Sequence, residues 1–142
     1  APITDEFARR IASYGGAAII VDYGDWRSLG DTFQALEAHK MVDPLARPGQ
    51  ADLTAHVDFE ALARAATNAG ASVSKMMTQG EILARLGIRP RAQTLAQNLD
   101  GEALETHIKA FERLTSDAEM GTLFKTIAIA PTPSRLPPGF ET

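Results

Sequence analysis

Cysteine is missing from all 142 residues, so disulfides and thiolate-bound metal centres are excluded. No apolar run approaches the ~20 residues that a membrane-spanning helix requires. The opening "APITDEFARR" has no apolar centre and carries two acids, unlike a secretory leader. Basic residues are in the minority: 14 Lys and Arg stand against 18 Asp and Glu, a net charge of -4. That balance argues against nucleic acid as a partner. Several motifs are also absent. The glycines of "DYGDWRSLGD" have neither dinucleotide-fold nor Walker spacing, and neither H-E-x-x-H nor G-x-S-x-G occurs. His39, His56 and His107 lie far apart, so no metal site is expected. His107 reads as solvated and His39 as loop surface. Trp26, the single tryptophan, reads as loop packing.

What remains is 44% hydrophobic and 23% charged, the balance of one ordinary globular domain. "TDEFARRIASYGG" has helical spacing, with Thr4 as the expected cap and Gly15-Gly16 as the stop. Ala17 to Val21 is an unbroken apolar run, the pattern of a strand buried on both faces. It ends in Asp22 and Tyr23. Ligands in such sheets sit beyond the carboxyl ends of strands. Asp22 is therefore either a site residue or a turn residue bonded to nearby backbone. Residues 24 to 51 show no clean period; a short helix from Asp31 and then a long ordered loop are expected. "DFEALARAATNAG" is a helix capped by Asp58, and "ASVSKMMT" a strand. Thr78 and Glu81 have capping-box spacing at the start of "TQGEILARLGI". Two more helices follow. "GTLFKTIAIA" is the last strand, with Lys125 reaching solvent, and "PTPSRLPPGF" is a tail without period.

Between loop and helix, "RPGQADLTAHVDF" sets Asp52, Thr54, His56 and Asp58 at alternate positions. If the segment is extended, all four share one side. Asp58 fits a helix cap, and Asp52 fits either an Asx turn or a ligand contact.

The ordered motifs "IIVDYG", "DPLARPGQADLTAHVDF", "TQGEILARLGI" and "EMGTLFKTIAIAP" resemble the MidA-like S-adenosylmethionine-dependent methyltransferases. The mitochondrial member of that family is an assembly factor of respiratory complex I that dimethylates an arginine of a core subunit. The resemblance runs from residue 11 to residue 130. It implies an α/β class I methyltransferase fold, a Rossmann-like sheet of seven strands, of which this chain supplies strands five to seven. Strand five would be residues 17 to 23, strand six "ASVSKMMT", and strand seven "GTLFKTIAIA", inserted antiparallel between them.

Residues 1–142 are then expected to be the C-terminal portion of one methyltransferase domain, with a helical insertion at 78–117 and the Pro-rich tail at 131–142. The N-terminal cofactor-binding half, with its glycine-rich loop, is absent from these motifs. The fragment is expected to be inactive alone, and no cofactor-binding residue is assigned in it.

The resemblance further implies S-adenosylmethionine as cofactor and a protein substrate with an acceptor arginine. The missing N-terminal half would be a partner, and a homodimer is compatible with the pattern. The location would be bacterial cytoplasm, or the mitochondrial matrix in a eukaryote. Carboxylates can orient a guanidinium through charge-assisted bonds. On this reading Asp22, Asp52 and His56 are catalytic candidates, with His56 as a proton acceptor. Tyr23, Asp31, Thr54, Asp58 and Gln79 are substrate-binding candidates. Gln79 reads equally well as a first-turn hydrogen-bonding residue. The competing function is a non-catalytic assembly or binding module that keeps the methyltransferase-like fold.

Overall fold

The computed structural model describes residues 2–133 and 135–141; Ser134 of the tail lies outside them. Helix α1 spans Pro2–Tyr14, strand β1 Ala18–Asp25, β2 Gln34–Glu37, β3 Lys40–Val42, β4 Asp52–Thr54 and β5 Val57–Asp58. Helix α2 spans Phe59–Asn68, β6 Ala71–Val73, β7 Met77–Thr78, α3 Gln79–Arg85, α4 Ile88–Ala96 and α5 Gly101–Thr115. The turn of helix α6, Met120–Leu123, leads into β8, Phe124–Pro131.

The main sheet has the order β5-β1-β8-β6, with β7 also paired to β8. Strand β8 runs antiparallel to both β1 and β6, so the last strand in sequence lies between two earlier ones, as the resemblance implies. Among the described residues only β5 is parallel to β1, through Gly24 opposite Val57 and Asp25 opposite Asp58. A separate small sheet has the order β3-β2-β4.

Residue alternation along β8 divides the core. Ile129 packs with Ala8, Ile11, Ala66 and Ala71 on the α1–α2 side. Ala128 faces the other way, toward Met77, Ile82 and Phe140. Among the described residues strand β1 is covered on one face only. Ile20 is packed against the α1–α2 cluster, while Ile19 is 55% and Val21 50% exposed. The expectation of burial on both faces is thus corrected, because the packing of the second face centres on β7, β8 and α3.

Other expectations change for local reasons. Helix α1 begins before Thr4, which is buried in its first turn rather than capping it. No helix starts at Asp31; its carboxylate accepts from Phe33 N at 2.9 Å in an Asx turn that leads into β2. The expected loop holds the β2–β3 hairpin, turned at Ala38 and His39, both at positive φ. "ASVSKMMT" is two strands, because Ser74 interrupts the ladder. Its Oγ takes the bond from Ala128 N at 2.9 Å, while Ser74 N donates to Ala128 O. The last strand starts at Phe124, after a helical turn. There Lys125 does not extend into solvent: its ammonium donates to Thr122 O at 2.6 Å and caps that turn. His107 is half-buried, with Nε2 2.9 Å from Ala92 O, joining α5 to α4.

Candidate functional site

The carboxyl end of β1 is shaped by local backbone chemistry. Asp22 accepts from Tyr23 N at 2.8 Å, and Asp25 accepts from Trp26 N at 2.7 Å. The chain then turns against the start of α2. Glu60 N donates to Trp26 O at 2.8 Å, and Ala61 N donates to the Asp58 carboxylate at 2.9 Å. Arg27 completes the junction with a bidentate pair to Glu60, Nε to Oε2 at 2.7 Å and Nη2 to Oε1 at 3.0 Å. The hydrogen bond from Arg27 holds the Glu60 carboxyl below its ordinary range, and the same bond raises the Arg27 guanidinium. Two of the α2 N-terminal amides are therefore satisfied from within the chain.

Two aromatic contacts converge at this end. The Tyr23 ring lies edge-to-face with His56 at 5.8 Å and with Phe124 at 5.9 Å. Phe124 is the β8 residue directly opposite Tyr23. His56 is exposed, and its backbone N–H donates to Thr32 Oγ1 at 3.1 Å, tying the β4–β5 link to the loop before β2. An imidazole edge-on to a phenol at the open end of a strand can hold a polar guest and accept a proton from it.

The string Asp52, Thr54, His56 and Asp58 is not one continuous strand. Asp52 and Thr54 belong to the small sheet, opposite Leu36 and Gln34. Asp58 belongs to the main sheet, opposite Asp25. His56 lies in the link between them. The structure therefore joins Tyr23 to His56, and Asp58 to the β1 end. Asp52 is exposed, and no hydrogen-bond partner of its carboxylate is found among the described residues. Asp31 and Asp58 each engage a backbone amide. Gln79 is not brought to this end: its Nε2 donates to Leu114 O at 2.9 Å, joining α3 to α5. Sequence reasoning missed Arg27, Glu60, Thr32 and Phe124 as partners. Arg27 and Thr32 lie in the stretch without period, and no spacing rule links them to positions 60 and 56.

Among the described residues no group of three or more His, Asp or Glu is arranged to hold a metal ion, and no helix is long and apolar enough to cross a membrane.

Comparison with known proteins places this geometry in context. The family described as "Putative S-adenosyl-L-methionine-dependent methyltransferase" matches residues 1–77. The mitochondrial protein arginine methyltransferase NDUFAF7 of Xenopus tropicalis is 39% identical over 132 residues, covering 92% of this chain and 30% of that protein. The Drosophila melanogaster homologue is 40% identical over 125 residues, covering 87% of this chain and 29% of that protein. This chain thus spans about 30% of the length of the curated relatives it matches. A Burkholderia thailandensis crystal structure, described as a "likely methyl transferase" bound to S-adenosyl-homocysteine, superposes with a TM-score of 0.73 at 30% identity. That match covers 97% of this chain and 36% of the other.

Proposed function

Since the chain belongs to a family of S-adenosyl-L-methionine-dependent methyltransferases, we propose that it forms the acceptor side of a protein arginine methyltransferase. The single observation that carries this reading is the Tyr23–His56 edge-to-face pair at the carboxyl end of β1. On this reading the exposed imidazole faces the acceptor at the carboxyl end of β1, the end where ligands of α/β sheets commonly bind, and the carboxylate of Asp52 lies four residues before it in sequence.

The family's cofactor supplies an electrophilic methyl group. No cofactor-binding residue is assigned among the described residues: no glycine-rich loop follows β1, and the first α2 amides are already bonded to Asp58 and Trp26. The chain's own task is therefore to orient the acceptor. Asp52 binds the guanidinium through charge-assisted bonds, Tyr23 and Thr54 line its approach, and His56 accepts the proton that the methylated nitrogen releases. Asp22 is a positioning residue for Tyr23 through its bond to the Tyr23 amide. Asp31 and Asp58 keep one carboxylate oxygen on the backbone and offer the other to the substrate. Gln79 holds the helical insertion at 78–117 in place. Alignment contributes more than base strength, since a well-placed acceptor needs little activation.

On this reading the whole enzyme carries its cofactor-binding half on the N-terminal side, and residues 1–142 are the C-terminal portion of the domain. Links to respiratory complex I, to a mitochondrial matrix or bacterial cytoplasmic location, and to a homodimer rest on the family resemblance.

The test is Asp52→Asn in the full-length protein. Loss of one charged partner lowers methyl transfer to an arginine substrate roughly tenfold or more. S-adenosylmethionine affinity by calorimetry and the melting temperature stay unchanged. A lower melting temperature with intact turnover of folded protein makes Asp52 structural. A full-length protein that does not bind S-adenosylmethionine in the same calorimeter favours the non-catalytic binding module.

A further inference from the structure

The tail, which has no sequence period, returns across the molecule and closes the second core. Phe140 is 3% exposed and packs with Met77, Ile82 and Ala128, with Leu83 and Leu136 around them. Two turns shape this segment. Phe140 N donates to Pro137 O at 3.1 Å, and Gly139 N donates to the Glu141 carboxylate at 2.7 Å. Arg85, in the last turn of α3, holds it from outside. Its Nη1 donates to Gly139 O at 3.3 Å and to Glu141 O at 3.0 Å. Gly139 lies so close to α3 that an added Cβ would meet Ile82 Cδ1 at 2.6 Å.

Side-chain size explains why the tail is needed. The β8 residues on this face are Thr126, Ala128 and Ala130, all small. They offer α3 little apolar depth. Phe140 is the largest side chain in the cluster, and an aromatic ring of this kind dominates the area buried in a core. The tail also forms one wall of an open cleft of about 410 Å³, beside Lys75, Met76 and Glu81. It is therefore a surface element with one deep anchor, and the α1–α2 cluster lies on the opposite face of β8.

We propose that Leu136–Glu141 is a strap, anchored by Phe140 and clasped by Arg85, that clamps α3 onto β7 and β8 and can open while the α1–α2 side stays folded. Through the Gln79–Leu114 bond the strap also governs how firmly α5 and its partner α4 are held. Opening it loosens the helical hairpin as a unit.

Hydrogen exchange on the full-length protein tests this. Phe140→Ala accelerates exchange of the Leu86 and Gly87 amides, bonded to Ile82 O and Ala84 O, by roughly tenfold or more. The Ala69 and Gly70 amides at the end of α2 keep their protection. Arg85→Gln, which spares the anchor, accelerates the Gly139 and Phe140 amides. Phe140→Leu keeps an apolar anchor and gives the same contrast at smaller amplitude. Unchanged α3 protection in Phe140→Ala overturns the proposal. So does equal acceleration at α2 and α3 in Phe140→Leu, because both faces would then open as one cooperative core.

Discussion

Replacing Gly24 with alanine tests how the candidate site is assembled. Gly24 lies opposite Val57 in the only parallel pairing of the main sheet among the described residues, at φ +150°. An added Cβ would lie 2.2 Å from the Val57 carbonyl oxygen and 2.7 Å from its nitrogen. Both are backbone atoms, so no rotamer change relieves the overlap. Overpacking of this kind costs about 1–3 kcal/mol, and holding a side chain at that φ adds about 1–3 kcal/mol. At about 3 °C per kcal/mol for a domain of this size, the melting temperature should fall by roughly 6–18 °C. Gly49→Ala is the control. Its φ is +82°, but nothing lies within 4 Å of the new Cβ, so only the backbone term applies. Circular dichroism melts of the two variants separate the clash from the dihedral cost. If they melt together, β5 yields freely and the β1–β5 junction does not set the site. If the reasoning holds, Gly24→Ala in the full-length protein also lowers methyl transfer by folded protein, because β5 continues directly from His56.

Three further outcomes follow from the same geometry. Thr126 Oγ1 is buried with no hydrogen-bond partner among the described residues, so Thr126→Val should stabilise by about 1–3 kcal/mol, read as a higher melting temperature. The depressed Glu60 carboxyl contributes stability that is present above its ordinary value of 4.5 and lost as pH falls through its lower folded value; melting curves of wild type and Glu60→Gln should differ at neutral pH and converge in acid, and parallel curves would rule out the linkage. The half-exposed Ile19 and Val21 should make the isolated 142 residues self-associate in sedimentation, with Ile19→Lys reducing it; a monodisperse, cooperatively melting wild type would refute this.

Where local chemistry decides structure, the sequence was readable. Asp58 caps α2, and Thr78 with Glu81 forms both halves of the capping box. The insertion of β8 between β1 and β6 was available only from the family resemblance, since periodicity carries no information on strand order. The β2–β3 hairpin was invisible for a specific reason. Its two-residue turn has Ala38 at φ 49° and His39 at φ 62°, where such turns usually carry Asn-Gly or Asp-Gly. Strands of four and three residues are also too short to show alternation. Of the candidate site, the alternating string promised one polar face, but the chain changes sheets within it, at Ala55 and His56. The Arg27–Glu60 pair and the Tyr23–His56 contact join segments distant in sequence, which no local pattern encodes.

The position of β8 has a consequence for synthesis. It is the last strand of this chain to leave the ribosome, yet β1 and β6 pair with it rather than with each other. Until it emerges, the nascent β1 lacks its antiparallel ladder with β8. The β1–β8 ladder pairs segments far apart in sequence, from Ala18 with Ile129 to Tyr23 with Phe124, a high contact order that slows folding. During that interval the apolar "AAIIV" run lacks its main partner and is open to aggregation. Vectorial synthesis thus creates a period in which a chaperone that covers β1 would raise the yield of native protein.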